Sequence, residues 1–299
     1  VANFRASASL LPFASNLITS QGRQMKLITF IQNGRHRIGE VVDDTVYVTA
    51  WTDPMTSLIR RGITPSRTYE RFALSSLTLD APLVPSKIIA IGRNYSEHAK
   101  EVGGTLPTEP LIFAKLPSSI IGPNRPITWR TSITQQVDWE GELAVVIGKR
   151  ARNVSEEDAM NYVFGYTIAN DITARDLQRV KDSQWTRAKG LDTFCPLGPC
   201  IVTRDEIADP HELALKTVVN GETRQDGNTR DMIFRIPSLI AYVSRMFTLE
   251  AGDLILTGTP SGVGQGMNPP TFLNDGDTVT ITIEGIGELS NPCVIEAEE

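Results

Sequence analysis

The sequence is poor in cysteine and has no cluster of basic residues. Its three cysteines, Cys195, Cys200 and Cys293, form an odd set with no C-x-x-C pair. That argues against a disulfide framework and against a thiolate zinc site, and it fits small buried thiols in a reducing compartment. The formal net charge is −6. With no basic block, nucleic acid and anionic membrane surfaces are not the expected partners. No uninterrupted apolar run approaches the ~20 residues of a membrane span. What is present, 40% hydrophobic and 21% charged residues in 299, suits one large domain, or one large and one small.

Residues 1–24 differ from the rest. They carry Arg5 and Arg23, several Ser and Ala, and no acid, which is the make-up of a mitochondrial transit peptide. Met25 also reads as a start, which would make the segment a leader or expression-derived sequence. The segment is set aside from fold reasoning. The compartment expected is the cytoplasm, or the mitochondrial matrix if residues 1–24 are a transit segment.

Residues 25–84 read as a small α/β domain. Strands are expected at Lys26–Ile31, Arg37–Val42 and Thr45–Val48, joined by turns at Asn33-Gly34 and Asp43-Asp44. Short helices are expected around Met55–Arg61 and Thr68–Ser75. His36 reads as part of a solvated face. Residues 85–299 form the large domain. Its strands outnumber its helices and are irregularly spaced. That predicts an α+β, mainly β fold with a mixed-sheet or sandwich arrangement rather than repeating βαβ units.

The large domain is organised around Val137-Asp138-Trp139-Glu140-Gly141-Glu142-Leu143-Ala144-Val145-Val146-Ile147-Gly148. A short apolar run closed by Gly reads as a buried strand. Side chains alternate along a strand, so Glu140 and Glu142 share a face, roughly 6–7 Å apart. Two like charges beside a core repel and lose hydration, so they need a cation, a shared proton or exposure. Asp171 ends the expected strand Phe164–Asn170. There it can meet an acid from a neighbouring strand, although a plain cap or turn role suits it equally.

Other segments add chemistry. In Gly92-Arg93-Asn94-Tyr95-Ser96-Glu97-His98-Ala99-Lys100-Glu101, a helix capped by Ser96 puts His98 and Glu101 at i, i+3 on one face. A carboxylate beside an imidazole suits a general base; an exposed surface pair has the same spacing. Lys189 alone reads as surface charge. His211, after Pro210, reads as a surface turn residue. The strand Leu254–Leu256 runs into Thr257-Gly258-Thr259-Pro260-Ser261-Gly262-Val263-Gly264. That loop lacks the Gly-Lys-Ser/Thr ending of a phosphate loop. Its N–H groups and the Thr257 and Thr259 hydroxyls could hold a small carboxylate.

Together, Glu140, Glu142 and Asp171 would offer three hard oxygen ligands. Oxygen-only ligation favours Mg²⁺, Mn²⁺ or, as a substitute, Ca²⁺ over zinc. Such a site leaves room for a chelating 2-oxo acid, whose enolate the metal would stabilise. His98 with Glu101 would move a proton, and Lys189 would stabilise developing negative charge.

The segments KIIAIGRNYSEHAKE, PLIFAKLPSSIIGP, QVDWEGELAVVIGK, GYTIANDITARDLQ, KGLDTFCPLGP and LILTGTPSGVG together resemble the fumarylacetoacetate hydrolase family, in particular its domain-containing protein 2 subgroup. The resemblance runs from about Lys87 to the C-terminus. It implies a mixed β-sandwich roll with a small N-terminal domain, usually homodimeric, with a Mg²⁺ or Mn²⁺ site. The family's metal ligands fall on Glu140, Glu142 and Asp171. Its His-x-x-Glu pair, often on a lid, falls on His98 and Glu101, and its active-site lysine on Lys189. Arg93, Gln178 and Thr259 fall on substrate-contacting positions. Gly190-Leu191 departs from the Thr/Ser-Phe common in relatives, which is expected to alter the pocket wall.

The resemblance implies a metal-bound enolate of a small 2-oxo dicarbonyl acid. Oxaloacetate leads, through keto–enol tautomerisation or decarboxylation; C–C hydrolysis of acylpyruvates or fumarylpyruvate-type acids is the alternative. Glycoside hydrolysis needs acids on opposite sides of a sugar ring, which same-face neighbours do not supply. A cation-stabilised binding module would leave His98 and Lys189 idle.

Overall fold

The computed structural model describes residues 24–101, 103, 106–178 and 184–298. Most of the 1–24 segment therefore lies outside the described residues. Among those described, no helix is long and apolar enough to cross a membrane.

The fold is mainly β. A 12-stranded mixed sheet has at its centre, in spatial order, Cys195–Thr203, Val163–Asn170, Gly141–Ile147, Leu254–Leu256 and Ile88–Gly92. Leu111–Lys115 closes one edge. The other side continues through Lys26–Gln32, Arg35–Val42 and Thr45–Thr49 to Arg67–Ala73. The first of these joins the central strands by pairing Lys26 with Val202 and Leu27 with Ile201. A five-stranded sheet, built from Glu222–Asn228, Ala214–Val219, Thr278–Ile283, Gly287–Ile295 and Ile127–Trp129, packs on the large one as the second layer of a sandwich.

The central strand shows why the sandwich forms. Every residue of Gly141–Ile147 is buried. Leu143, Val145 and Ile147 join one apolar core, which includes Leu215, Ile281 and Leu289 of the small sheet. Ala144 and Val146 join the core on the opposite face, with Leu58 and Ile59 of the helix Met55–Arg61. A period of two with both faces covered accounts for the continuous apolar run. Gly141 marks the closest approach of the layers. A Cβ there would lie 2.4 Å from Thr217 Oγ1 and 3.3 Å from Gln225 Oε1 of the small sheet.

Two local expectations need correction. Residues 67–73 form an edge strand against Thr45–Thr49 and not a helix. Thr68, Tyr69 and Phe72 favour a pleated surface, and the Phe72 ring meets Phe30 edge-on at 6.3 Å. His211 is buried rather than surface-exposed. Its Nε2 accepts the N–H of Ile236 at 3.1 Å, at the start of the helix Ile236–Met246. His36 is exposed and pairs with Asp80 at 2.7 Å.

Candidate active site

The pairing of two central strands brings the acids together. Gly141–Ile147 runs antiparallel to Val163–Asn170 with Gly141 opposite Asn170. The residue before the first strand, Glu140, therefore lies beside the residue after the second, Asp171. Two short bonds lock the junction. Asp171 N–H donates to Glu140 O at 2.9 Å, and Glu140 N–H donates to Asn170 Oδ1 at 3.0 Å. Each of Glu140, Glu142 and Asp171 places a carboxylate oxygen within 4.8 Å of the others, and all three residues are buried.

Their electrostatics differ. Burial pushes the Glu140 carboxyl up, but the Lys189 and Arg175 cations, with His98, outweigh it and hold it well below the usual carboxylate range. At Glu142 the counter-charge is outweighed. Burial first, then repulsion from Asp171 and Glu140, raises it well above the usual range. Lys189 and the Gly258 N–H, 2.7 Å from Glu142 Oε2, offset only part of this. Lys189 sits on the short helix Thr186–Lys189. Its ammonium lies 2.7 Å from both Glu140 Oε2 and Asp171 Oδ2. Burial would strip its proton, but those two carboxylates raise its pKa and keep it charged. Lys189 is therefore not surface charge.

Three further charged residues complete the cluster, and sequence reasoning missed them. Lys115, at the end of Leu111–Lys115, lies 2.6 Å from Asp171 Oδ1. Arg175 lies 2.8 Å from Asp138 Oδ2 and 2.7 Å from Glu140 Oε1. Asp138 also accepts the N–H groups of Trp139, Gly264 and Gln265 at 2.7–3.0 Å. The available signal was a lone charge closing an apolar run, Leu-Ile-Phe-Ala-Lys, since a buried charge is kept only with a partner.

His98 and Glu101 do share a helix face. Nδ1 of His98 lies 3.2 Å from Glu101 Oε2, and both residues are largely buried. The Gly-rich loop behaves differently from expectation. Its N–H groups hold the protein's own carboxylates: Gly258 that of Glu142, Gly262 that of Glu101, Gly264 and Gln265 that of Asp138. The hydroxyls are also engaged. Thr257 donates to Leu143 O and Thr259 to Gly141 O. Gln225 of the small sheet fixes Thr259 by donating to its Oγ1 at 2.7 Å, while its own Oε1 accepts the Gly141 N–H at 2.9 Å.

These groups surround a cavity of about 170 Å³ lined by His98, Glu140, Glu142 and Lys189, and also by Arg93, Arg175, Gln178, Trp185, Thr259 and Gln265. All six polar positions singled out around the acids, His98, Lys189, Arg93, Gln178, Thr259 and, through its bond to His98, Glu101, thus converge on one place. Arg93 holds a left-handed backbone, φ +57°. Gln178 Oε1 accepts from Arg175 at 3.1 Å. Gly190 and Leu191 are not among the lining residues of this cavity; they follow Lys189, which is. The volume falls below the ~300–1,000 Å³ of sites for drug-sized ligands, which points to a small substrate.

The donor set fits a hard divalent cation. It is oxygen-only, and metal–oxygen distances of ~2.0–2.6 Å allow ligand oxygens up to about 4–5 Å apart. A cation there would also relieve Glu142.

The fumarylacetoacetate (FAA) hydrolase C-terminal family description matches residues 87–294. The chain belongs to the fumarylacetoacetate hydrolase family. It is an enzyme of that family. The oxaloacetate tautomerase fahd2, mitochondrial, of Xenopus laevis is 50% identical over 222 residues, covering 74% of this chain and 69% of that protein. The oxaloacetate tautomerase YisK of Bacillus subtilis is 52% identical over 224 residues, 74% of each. A solved fumarylacetoacetate hydrolase from Exiguobacterium antarcticum is 44% identical, with a TM-score of 0.84, over 91% of this chain and 100% of that one. The fumarylacetoacetate hydrolase fold and the acidic cluster thus occur together in this chain.

Proposed function

We propose that this protein is a divalent-metal-dependent enzyme that interconverts the keto and enol forms of oxaloacetate. The observation that carries the reading is the buried cluster of Glu140, Glu142 and Asp171, in which burial and the two acidic neighbours outweigh the pull of Lys189 on Glu142. Glu140, Glu142 and Asp171 would hold Mg²⁺ or Mn²⁺. The bound ion would supply Lewis acidity, favouring the enolate form of a 2-oxo acid.

The chain's own groups carry the rest. His98 would present Nε2 as the base, its Nδ1 lying 3.2 Å from Glu101 Oε2. It takes a proton from C3, and a proton is returned at the C2 oxygen, so atoms and charge balance. The ammonium of Lys189 balances the negative charge that develops on that oxygen. Arg93, Gln178 and Arg175 at the cavity wall would receive the two substrate carboxylates, with Thr259 fixing the floor. Trp185 supplies an apolar part of the same wall. Two relatives named as oxaloacetate tautomerases support the substrate. The proposed assembly is a homodimer, in a reducing compartment that keeps the three buried cysteines free.

A second reading, C–C hydrolysis of acylpyruvates or fumarylpyruvate-type acids, is favoured by likeness to the solved fumarylacetoacetate hydrolase. One panel separates the two. Oxaloacetate, acetylpyruvate and fumarylpyruvate are offered with Mg²⁺ or Mn²⁺, and enol loss, pyruvate and released acid are followed separately. Accelerated enol loss without pyruvate is expected. Release of a carboxylic acid from acetylpyruvate at a comparable rate would favour the hydrolase, and no turnover of any of the three would defeat both.

A further inference from the structure

Glu101 divides its carboxylate between two elements. Oε2 faces His98 Nδ1 within its own helix, and Oε1 accepts the Gly262 N–H at 2.9 Å across the Gly-rich loop. Its stem lies directly over Gly266. A Cβ added at Gly266 would sit 2.3 Å from Glu101 Cγ and Cδ and 2.5 Å from Oε1, the three nearest atoms. The same loop holds Asp138 through Gly264 and Gln265, and Asp138 holds Arg175 against Glu140. One loop therefore sets the place of both the His98 pair and the acid cluster.

We propose that Gly266 is a positioning residue, a bare seat that fixes the height of Glu101 and through it the direction of His98 over the cavity. The inference rests on the reading that His98 moves a substrate proton. Gly266 has no left-handed φ, so alanine is allowed by its backbone. The added methyl meets the flexible end of Glu101 rather than the main chain. The displacement falls on the Gly262 and His98 bonds and leaves the fold in place. Gly262 does not offer so clean a test. Its φ is +100°, and a Cβ there would meet Arg224 O at 2.0 Å.

The test is Gly266→Ala in the full chain loaded with Mg²⁺ or Mn²⁺, turning over oxaloacetate. A fall in kcat of about 10–100-fold is expected, at or below the foot of the ~10²–10⁴-fold that a positioned proton-transfer group contributes, because His98 is displaced and not removed. KM, metal affinity and Tm should stay within twofold or a few degrees of the parent, and amide exchange at residues 96–101 should quicken. Adding Glu101→Asp, which withdraws the carboxylate by one methylene, should recover part of the lost kcat in the Gly266→Ala background. Parental kcat with unchanged exchange would overturn the proposal. So would a fall in metal affinity and Tm alongside kcat, because the loop would then be acting on the fold. If the parent itself does not turn over oxaloacetate, the reading of function fails. The exchange measurement still decides the seat: faster exchange upholds it, and unchanged exchange overturns it.

Discussion

The Lys115 ammonium lies 2.6 Å from Asp171 Oδ1, and both side chains are completely shielded from solvent. Lys115 also donates to Ile172 O at 3.3 Å and to the backbone carbonyl of Lys189. It therefore joins a proposed metal ligand to the helix that carries Lys189, the proposed active-site lysine. Removing one partner of a buried pair leaves an uncompensated charge. Lys115→Met should cost about 3 kcal/mol, the low end of the range for such pairs, because Lys189 still faces Asp171. Urea unfolding of the metal-free protein measures it. An unchanged midpoint would mean that Asp171 does not need Lys115.

Glu142→Gln separates stability from function. The amide keeps an acceptor for the Gly258 N–H and removes one of three mutually repelling acids. The metal-free variant should melt at or above the parent temperature. Its metal affinity should fall by at least about 10–100-fold, the loss attached even to outer partners of a metal site. Calorimetric titration with Mn²⁺ and a thermal melt read the two effects. A variant that binds Mn²⁺ as the parent does would remove Glu142 from the ligand set.

Metal and protons should compete at the same carboxylate. The folded-state pKa of Glu142 is raised by burial and by its acidic neighbours. Its contribution to metal-free stability is therefore fully present below the ordinary Glu value and is lost as pH rises through the raised one. A bound cation removes that cost. The stability gained at a fixed Mg²⁺ or Mn²⁺ concentration should thus grow with pH; a concentration of about a hundred times Kd corresponds to roughly 2.7 kcal/mol. Melts at several pH values, with metal and with chelator, measure it. A gain that shrinks toward alkaline pH would contradict the assignment.

The legible part of the site was the part written in strand periodicity. Glu140 and Glu142 flank Gly141 at the mouth of an apolar run, so pattern alone put them on one face; Asp171, at the end of the next long strand, could have been a plain cap, and the family resemblance joined it to them. The strand Leu254–Leu256 was readable for the same local reason. Non-local pairing was not. Nothing near Arg67–Ala73 announces that Thr45–Thr49 needs a neighbour, and its charged residues suit a helix equally well. Arg175 and Asp138 are 37 residues apart in sequence, and only the fold reveals that each neutralises the other. The Gly-rich loop misled in an instructive way. Its N–H groups do bind carboxylates, but those carboxylates belong to the chain itself.

His211 should titrate below the ordinary histidine value of ~6.5. Its Nε2 accepts the Ile236 N–H at 3.1 Å, which leaves the proton on Nδ1, 3.2 Å from Asp209 Oδ1. Protonating Nε2 would set two N–H groups against each other and charge a buried ring. Burial lowers the pKa first and Arg235 adds to it, against the opposing pull of Asp209. A base whose folded pKa is depressed gives stability that is full above the unfolded value and lost as pH falls through the folded one. That is the reverse of Glu142, so the two can be told apart. Proton NMR should show a histidine resonance titrating below the ordinary ~6.5, absent in His211→Gln. The parent should lose stability faster than His211→Gln between about pH 6.5 and the folded midpoint. A His211 resonance titrating at or above ~6.5 would remove the imidazole from its place as acceptor for the helix Ile236–Met246.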